Sequence, residues 1–106
     1  MDVQLKRGIL DACVLTVLRR GESYGYRLVK DVGELIDMSE STLYPILKRL
    51  EGGGLVTVRA AEHNGRLRKY YHILPPGLER IEQFAQDWRE IESIYQFITR
   101  EGGTHE

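Results

Sequence analysis

A single cysteine, Cys13, stands in 106 residues, so no intrachain disulfide can form and the chain suits a reducing cytoplasm. Set in an apolar helical run, its thiol reads as a buried structural group rather than a redox sensor. Long apolar runs are missing. The longest, residues 12–18, is interrupted by Thr16, far short of the roughly 20 residues that span a bilayer. Asp2 and Asp11 also spoil a signal peptide. The expectation is a soluble cytoplasmic protein with no membrane partner. Catalytic constellations are scarce as well. No histidine pairs by sequence with a nucleophile, and the carboxylates fall on exposed helix faces. Gly52-Gly53-Gly54 lacks the Lys-Ser/Thr that would complete a phosphate loop, and helix termination explains those glycines. Cys13, His63, His72 and His105 show no metal-ligand spacing. No enzyme, metal or cofactor is expected, and neither internal repeats nor low-complexity segments occur.

An excess of positive charge is absent too, since the net charge is −1. Taken whole, that would argue against a nucleic-acid partner, but the distribution is uneven. Residues 39–72 carry six cations (Lys48, Arg49, Arg59, Arg66, Arg68, Lys69) against three anions, whereas residues 75–106 carry three cations against seven anions. A basic middle and an acidic end make a dipolar molecule whose partner-facing side is the middle.

What is present is amphipathic. Residues 4–19 read as a first helix: Leu10, Val14, Val17 and Leu18 form one apolar stripe, and Leu5, Ile9 and Ala12 a second. A helix apolar on two sides faces two neighbours, here the core and another subunit. Arg19, Arg20 and Gly21 make a helix ending. Ser23 is a candidate cap for a second helix reaching about residue 36, with Tyr24, Leu28, Val32 and Leu35 on its core side. Gly25, in its first turn, permits a close approach to a neighbour.

After a very short turn comes residues 39–54, the stretch that organises the rest. Leu43, Ile46, Leu47 and Leu50 recur at helical spacing on one side. Ser41, Pro45, Lys48 and Gly52 fall opposite, with Tyr44 and Arg49 on the flanks. Ser39 or Ser41 caps the start; Pro45 removes a backbone donor about one turn in, which favours Ser41. Such a helix suits the major groove of DNA, where short polar side chains read bases and cations meet phosphates. An ordinary solvated amphipathic helix is the plainer reading, and the residues after Gly54 decide between the two. Residues 55–61 and 67–74 alternate as strands, and Asn64-Gly65 between them is a hairpin signal. Helix, helix, helix, hairpin is the order of a winged helix-turn-helix. A tip bearing His63, Asn64 and Arg66, followed by Arg68-Lys69, is placed to track a phosphate backbone or reach a minor groove.

Pro75-Pro76-Gly77 ends the second strand, and a helix runs on to about residue 100. Ile81, Phe84, Trp88, Ile91, Tyr95 and Ile98 are spaced 3, 4, 3, 4 and 3, a heptad seam. The chain has little other core to cover this stripe, so a second copy of the helix is its expected cover. Residues 102–106 read as a polar tail in which His105 is inert. The expected fold is therefore α+β, mainly α: a winged helix-turn-helix over residues 1–74, then a C-terminal dimerisation helix and tail over residues 75–106.

The pieces Arg7-Gly8-Ile9-Leu10, Ser23-Tyr24-Gly25-Tyr26, residues 41–51 with Gly54-Leu55-Val56, and Arg68-Lys69-Tyr70-Tyr71 together resemble the PadR family of bacterial transcriptional regulators. The resemblance covers nearly the whole chain, and the single last helix looks like the smaller subfamily, which lacks a two-helix extension. It implies a homodimeric winged-helix repressor of an inverted repeat, often near its own gene or a transport or stress operon. Ser41, Thr42, Tyr44 and Lys48 match the family's DNA-facing helix, and residues 63–69 its wing. Multidrug-binding members use an aromatic of the final helix in a pore between subunits; Trp88 is the candidate for that position, with a small aromatic or apolar effector implied, and packing in the heptad seam to which it also belongs is the alternative. Pro75-Pro76-Gly77 departs from the family's Leu-Thr-x-x-Gly and leaves the entry angle of the last helix open.

The DNA-binding set is then Ser39, Ser41, Thr42, Tyr44, Lys48, Arg49, His63, Asn64, Arg66, Arg68 and Lys69. The dimer set is Leu5, Ile9, Ala12, Ile81, Phe84, Trp88, Ile91, Tyr95 and Ile98. The expected partners are double-stranded DNA, a second copy and a small effector. A winged helix that binds protein instead of DNA is the alternative, and the cations Lys48, Arg66, Arg68 and Lys69 argue for DNA over it.

Overall fold

A computed structural model describes residues 1–103. Four helices and three short strands follow in the order α1 (Val3–Arg19), β1 (Ser23–Tyr24), α2 (Gly25–Gly33), α3 (Glu40–Gly52), β2 (Val56–His63), β3 (Arg66–Ile73) and α4 (Pro75–Gly103). Asp2 caps α1, its carboxylate accepting the Leu5 N–H at 3.0 Å. The expected stripe of α1 is buried, and Leu15, fully buried, extends it. Leu28 and Val32 of α2, Leu43, Leu47 and Leu50 of α3, and Val56 of β2 close on Val14, Leu15 and Leu18 to make one core, all 2% exposed or less. An aliphatic side chain buried this fully stabilises the fold by roughly 1.5–3 kcal/mol.

The sheet has three strands, not two. Its order is β1-β3-β2, both pairings antiparallel. Ser23, expected to cap α2, instead pairs with Tyr71 in β1, and Tyr24 pairs with Tyr70. The backbone at Tyr24 is extended (φ −136°, ψ 166°), so α2 starts at Gly25 with no side-chain cap. With Ser23 and Tyr24 both held in the sheet, the N-cap position falls on Tyr24, which makes no side-chain hydrogen bond with the first-turn amides, as a serine could. α2 also ends three residues early, at Gly33, where the Leu35 and Ile36 amides both turn back to the Val32 carbonyl. Leu35 therefore leaves the helical period and stands 77% exposed rather than in the core. The link to α3 is correspondingly longer than the tight turn expected, spanning residues 34–39.

Ser39, not Ser41, caps α3: its hydroxyl accepts the Thr42 N–H at 3.2 Å. Pro45 sits inside the helix and leaves the Ser41 carbonyl without its helical donor, yet α3 runs on to Gly52. In the hairpin, register runs from Val56↔Ile73 to His63↔Arg66. Asn64 and Gly65 form the two-residue turn with φ of 53° and 78°, the signs a type I′ turn needs at both positions.

The prolines settle how α4 begins. Pro75 and Pro76 occupy the first helical positions, where a missing N–H matters least and φ is already helical. The Leu74 carbonyl accepts from the Gly77 amide at 2.8 Å and the Leu78 amide at 3.2 Å. A Cβ at Gly77 would lie 2.5 Å from the Leu55 carbonyl oxygen and 2.7 Å from Ile73 Cγ1, so the helix start is pressed against the end of the sheet. From there α4 first crosses α1, with Ile81 packed against the shared core. Beyond Trp88 it stands clear along a molecule measuring 64 × 26 × 21 Å, its apolar stripe exposed. Gly102 and Gly103, expected in the tail, belong to α4; the rest of the tail, His105 included, lies outside the described residues. Among the described residues no helix is long and apolar enough to cross a membrane.

Candidate nucleic-acid interface

The side of α3 opposite its leucines carries Ser41, Thr42, Tyr44, Pro45, Lys48 and Arg49, all exposed. The hydroxyls of Ser39, Ser41 and Thr42 gather at its start, with Ser39 Oγ 3.0 Å from Ser41 Oγ and 3.1 Å from Thr42 Oγ1. Such rotatable groups both donate and accept, as base edges and phosphates require.

Between α3 and the β2–β3 wing lies an open groove of about 700 Å³. The structure brings Tyr44 together there with His63, Asn64, Arg66, Arg68 and Lys69 from the wing. Gly25 is what admits Tyr44: a Cβ on that glycine would sit 2.6 Å from the phenol oxygen. The neighbour expected at Gly25 is thus α3, through Tyr44. Of the lining residues outside the expected set, which also include Tyr24, Gly25, Glu40 and Tyr71, the two large exposed apolar or aromatic ones are Tyr26 (70% exposed) and Leu67 (80% exposed). Tyr26 stands in view beside Gly25 as a large side chain in the first turn of a helix. Leu67 shares the face of Lys69 and Tyr71 by strand alternation, but it lies toward the wing tip, past the core that buries Tyr71, and so stays exposed.

The cations divide by what holds them. Lys48, Arg66 and Lys69 have no acidic partner among the described residues. Arg68 lies 3.9 Å above the centre of the Tyr24 ring, which fixes its direction while leaving its charge. Tyr24 meets Tyr70 edge to face, and Arg59 lies over Tyr70 at 4.7 Å. Arg59 also takes both Glu22 oxygens, at 2.9 and 2.6 Å, and this hydrogen bonding lowers the Glu22 carboxyl below its usual range. Two tyrosines and two arginines thereby brace the outer face of the sheet from β1 to β2. Arg49 is placed differently from the expectation of a free cation: it pairs with Asp11 and ties α3 to α1. Thr42 and Arg49 open on a second hollow, on the side of α3 away from the wing.

The expected dimer residues are split along the chain. Ala12 is 6% exposed within a single copy, and Ile81 is half-buried by its own core. Leu5, Trp88, Ile91, Tyr95 and Ile98 are exposed. Trp88 stacks on Phe84, with ring centres 6.2 Å apart, and lines a shallow hollow of about 350 Å³ with Ile91, Glu92, Tyr95 and Gln96.

Comparison with known proteins agrees with this geometry. Residues 14–83 match the model of the transcriptional regulator PadR-like family. A transcriptional regulator from Streptococcus is 32% identical with a TM-score of 0.80, the match covering 92% of this chain and 99% of that one. A PadR family transcriptional regulator from Eggerthella lenta is 32% identical with a TM-score of 0.79, covering 91% and 87% of the two chains. Bacillus subtilis PadR, solved in complex with operator DNA, is 26% identical with a TM-score of 0.68, covering 73% of this chain and 46% of that one.

Proposed function

Because this chain belongs to the PadR-like family of transcriptional regulators, we propose that it works as a homodimeric repressor of an inverted repeat in double-stranded DNA. Members of that family are regulators and not enzymes. The observation that carries the reading is the positive charge, without an ion-pair partner among the described residues, of Lys48 on the exposed side of α3 and of Arg66 and Lys69 in the wing groove, beside the hydroxyl cluster that opens α3. Cations without local acids are free to displace the counterions of a phosphate backbone. α3 enters the major groove, where Ser41, Thr42, Tyr44 and Lys48 meet bases and phosphates, and the wing from His63 to Lys69 follows the adjacent backbone. The operator-bound Bacillus subtilis relative supports this choice.

The exposed seam of α4 pairs with its copy, and the two recognition helices are set about 34 Å apart, one turn of DNA. Residues 1–74 then act as the DNA-binding unit and α4 as the dimerisation arm, in the cytoplasm where the DNA is. A small aromatic or apolar effector seated at Trp88 relieves repression by favouring a different tilt of the two arms. Quenching of this one tryptophan by candidate compounds tests that step.

The reading as a whole is tested by titrating the protein onto the DNA upstream of its own gene, at low and moderate salt, beside a scrambled duplex. Specific binding that weakens with salt is expected. Binding to neither duplex would overturn it in favour of a winged helix that contacts protein.

A further inference from the structure

A helix lying in a major groove has a phosphate ridge on each side of it, the groove between them being about 12 Å wide. The wing can serve only one of those ridges. On the opposite side of α3 a hollow of about 390 Å³ is lined by Thr42, Pro45 and Arg49 and, across from them, by Lys6 and Arg7 in the first turns of α1. Thr42 and Pro45 belong to the exposed side of α3, so this hollow opens toward whatever that side meets.

The charges here are arranged to stay available. Asp11 lies one turn beyond Arg7 on the same face of α1 and would be its natural (i, i+4) partner. Arg49 takes that carboxylate instead. Asp2, one turn before Lys6, directs its carboxylate to the Leu5 amide. Lys6 and Arg7 are exposed and have no acidic partner among the described residues. The Asp11–Arg49 pair joins the middle of α1 to α3, and Lys6 and Arg7 ride on the same helix one turn or so before it, so the two cations are carried at a fixed offset from the recognition helix.

We propose that Lys6 and Arg7 form a second phosphate-binding edge, taking the DNA backbone on the side of α3 away from the wing. The inference rests on the DNA-binding function proposed for this chain. It makes α1 more than a core helix: its start becomes the far jaw of a clamp whose near jaw is the wing.

The test is the salt dependence of binding to a short random-sequence duplex, and to the upstream fragment, for wild type, for K6A/R7A and for K6R/R7K. Removing one phosphate contact should flatten the slope of log affinity against log salt by about 0.9, so removing both should flatten it by nearly 2 for each protomer. K6A/R7A should weaken both duplexes alike, because phosphate contacts carry no sequence information, and K6R/R7K should keep the wild-type slope. Wild-type slope and affinity in K6A/R7A would overturn the proposal. So would weaker affinity at unchanged slope that accompanies loss of self-association, for then the hollow seats a second copy. Wild-type protein that binds neither duplex fails differently, since it removes the DNA-binding function on which the proposal stands.

Discussion

Lys48 projects from α3 with no acid among the described residues to hold it. Lys48→Ala is therefore expected to weaken binding of specific and random duplexes together and to flatten the salt slope by about 0.9 per protomer; an unchanged titration would remove it from the interface. Gly77 belongs to the opposite kind of position. A Cβ there meets a backbone carbonyl at 2.5 Å, which cannot swing aside as a side-chain tip can. Gly77→Ala should lower stability by about 1–3 kcal/mol, read as a lower urea midpoint, as overpacked sites do. Tyr71 responds to pH. The residue is 6% exposed, and burial raises the pKa of its phenol above the usual value near 10. A raised folded-state pKa means that the unfolded chain loses this proton first. The stabilisation is thus complete below about pH 10 and disappears as pH climbs through the raised value. Tyr71→Phe should flatten the alkaline limb of a stability-versus-pH curve. Of these environments the sequence shows only part. That Gly25 invites a close neighbour follows from its missing Cβ, but that the neighbour is Tyr44 depends on the angle between α2 and α3. Arg49 and Lys48 look equivalent as letters, and only the crossing of α1 puts Asp11 within reach of one of them.

At the scale of elements, the wing depends on its turn. Asn64 and Gly65 both take positive φ, and a β-branched side chain at the second would meet its own backbone. Gly65→Val should cost about 1–2 kcal/mol and, by disturbing the register that aligns Arg66 and Arg68, reduce DNA affinity more than it lowers the melting temperature. Equal affinity for the two proteins would show that the tip does not touch DNA. The hairpin is plain from alternation and the Asn-Gly pair, as are α1, α3 and α4 from their 3.6-residue period. β1 is not, because two residues are too few to alternate and Ser23-Tyr24-Gly25 has the look of a capped helix start. The end of α2 is equally easy to misplace: Gly33 is a local breaking signal, but Leu35 and Ile36 continue the apolar period past it by one more step. The brace from Arg68 through Tyr24 and Tyr70 to Arg59 and Glu22 spans three strands, so it exists only once the pairing of β1 with β3 is known.

For the whole molecule the governing feature is α4. Its 29 residues extend about 44 Å at helical rise, and only the first turns find cover within their own chain. The heptad seam is visible in the spacing from Ile81 to Ile98, but not the point at which the helix leaves the core, since both halves of the seam are equally apolar. Tyr95→Glu is expected to give a monomer in sedimentation while leaving the far-ultraviolet helix signal of the winged domain intact, and to weaken binding to an inverted repeat far more than to a half-site. A variant that sediments like wild type would place the self-association surface elsewhere. The self-association proposed for this stripe would also make the protein a gauge of its own abundance. While copies are scarce and mostly single, the paired form grows with the square of supply, so halving synthesis leaves about a quarter of it. Control of that kind answers steeply to gene dosage, and it lapses soon after synthesis stops.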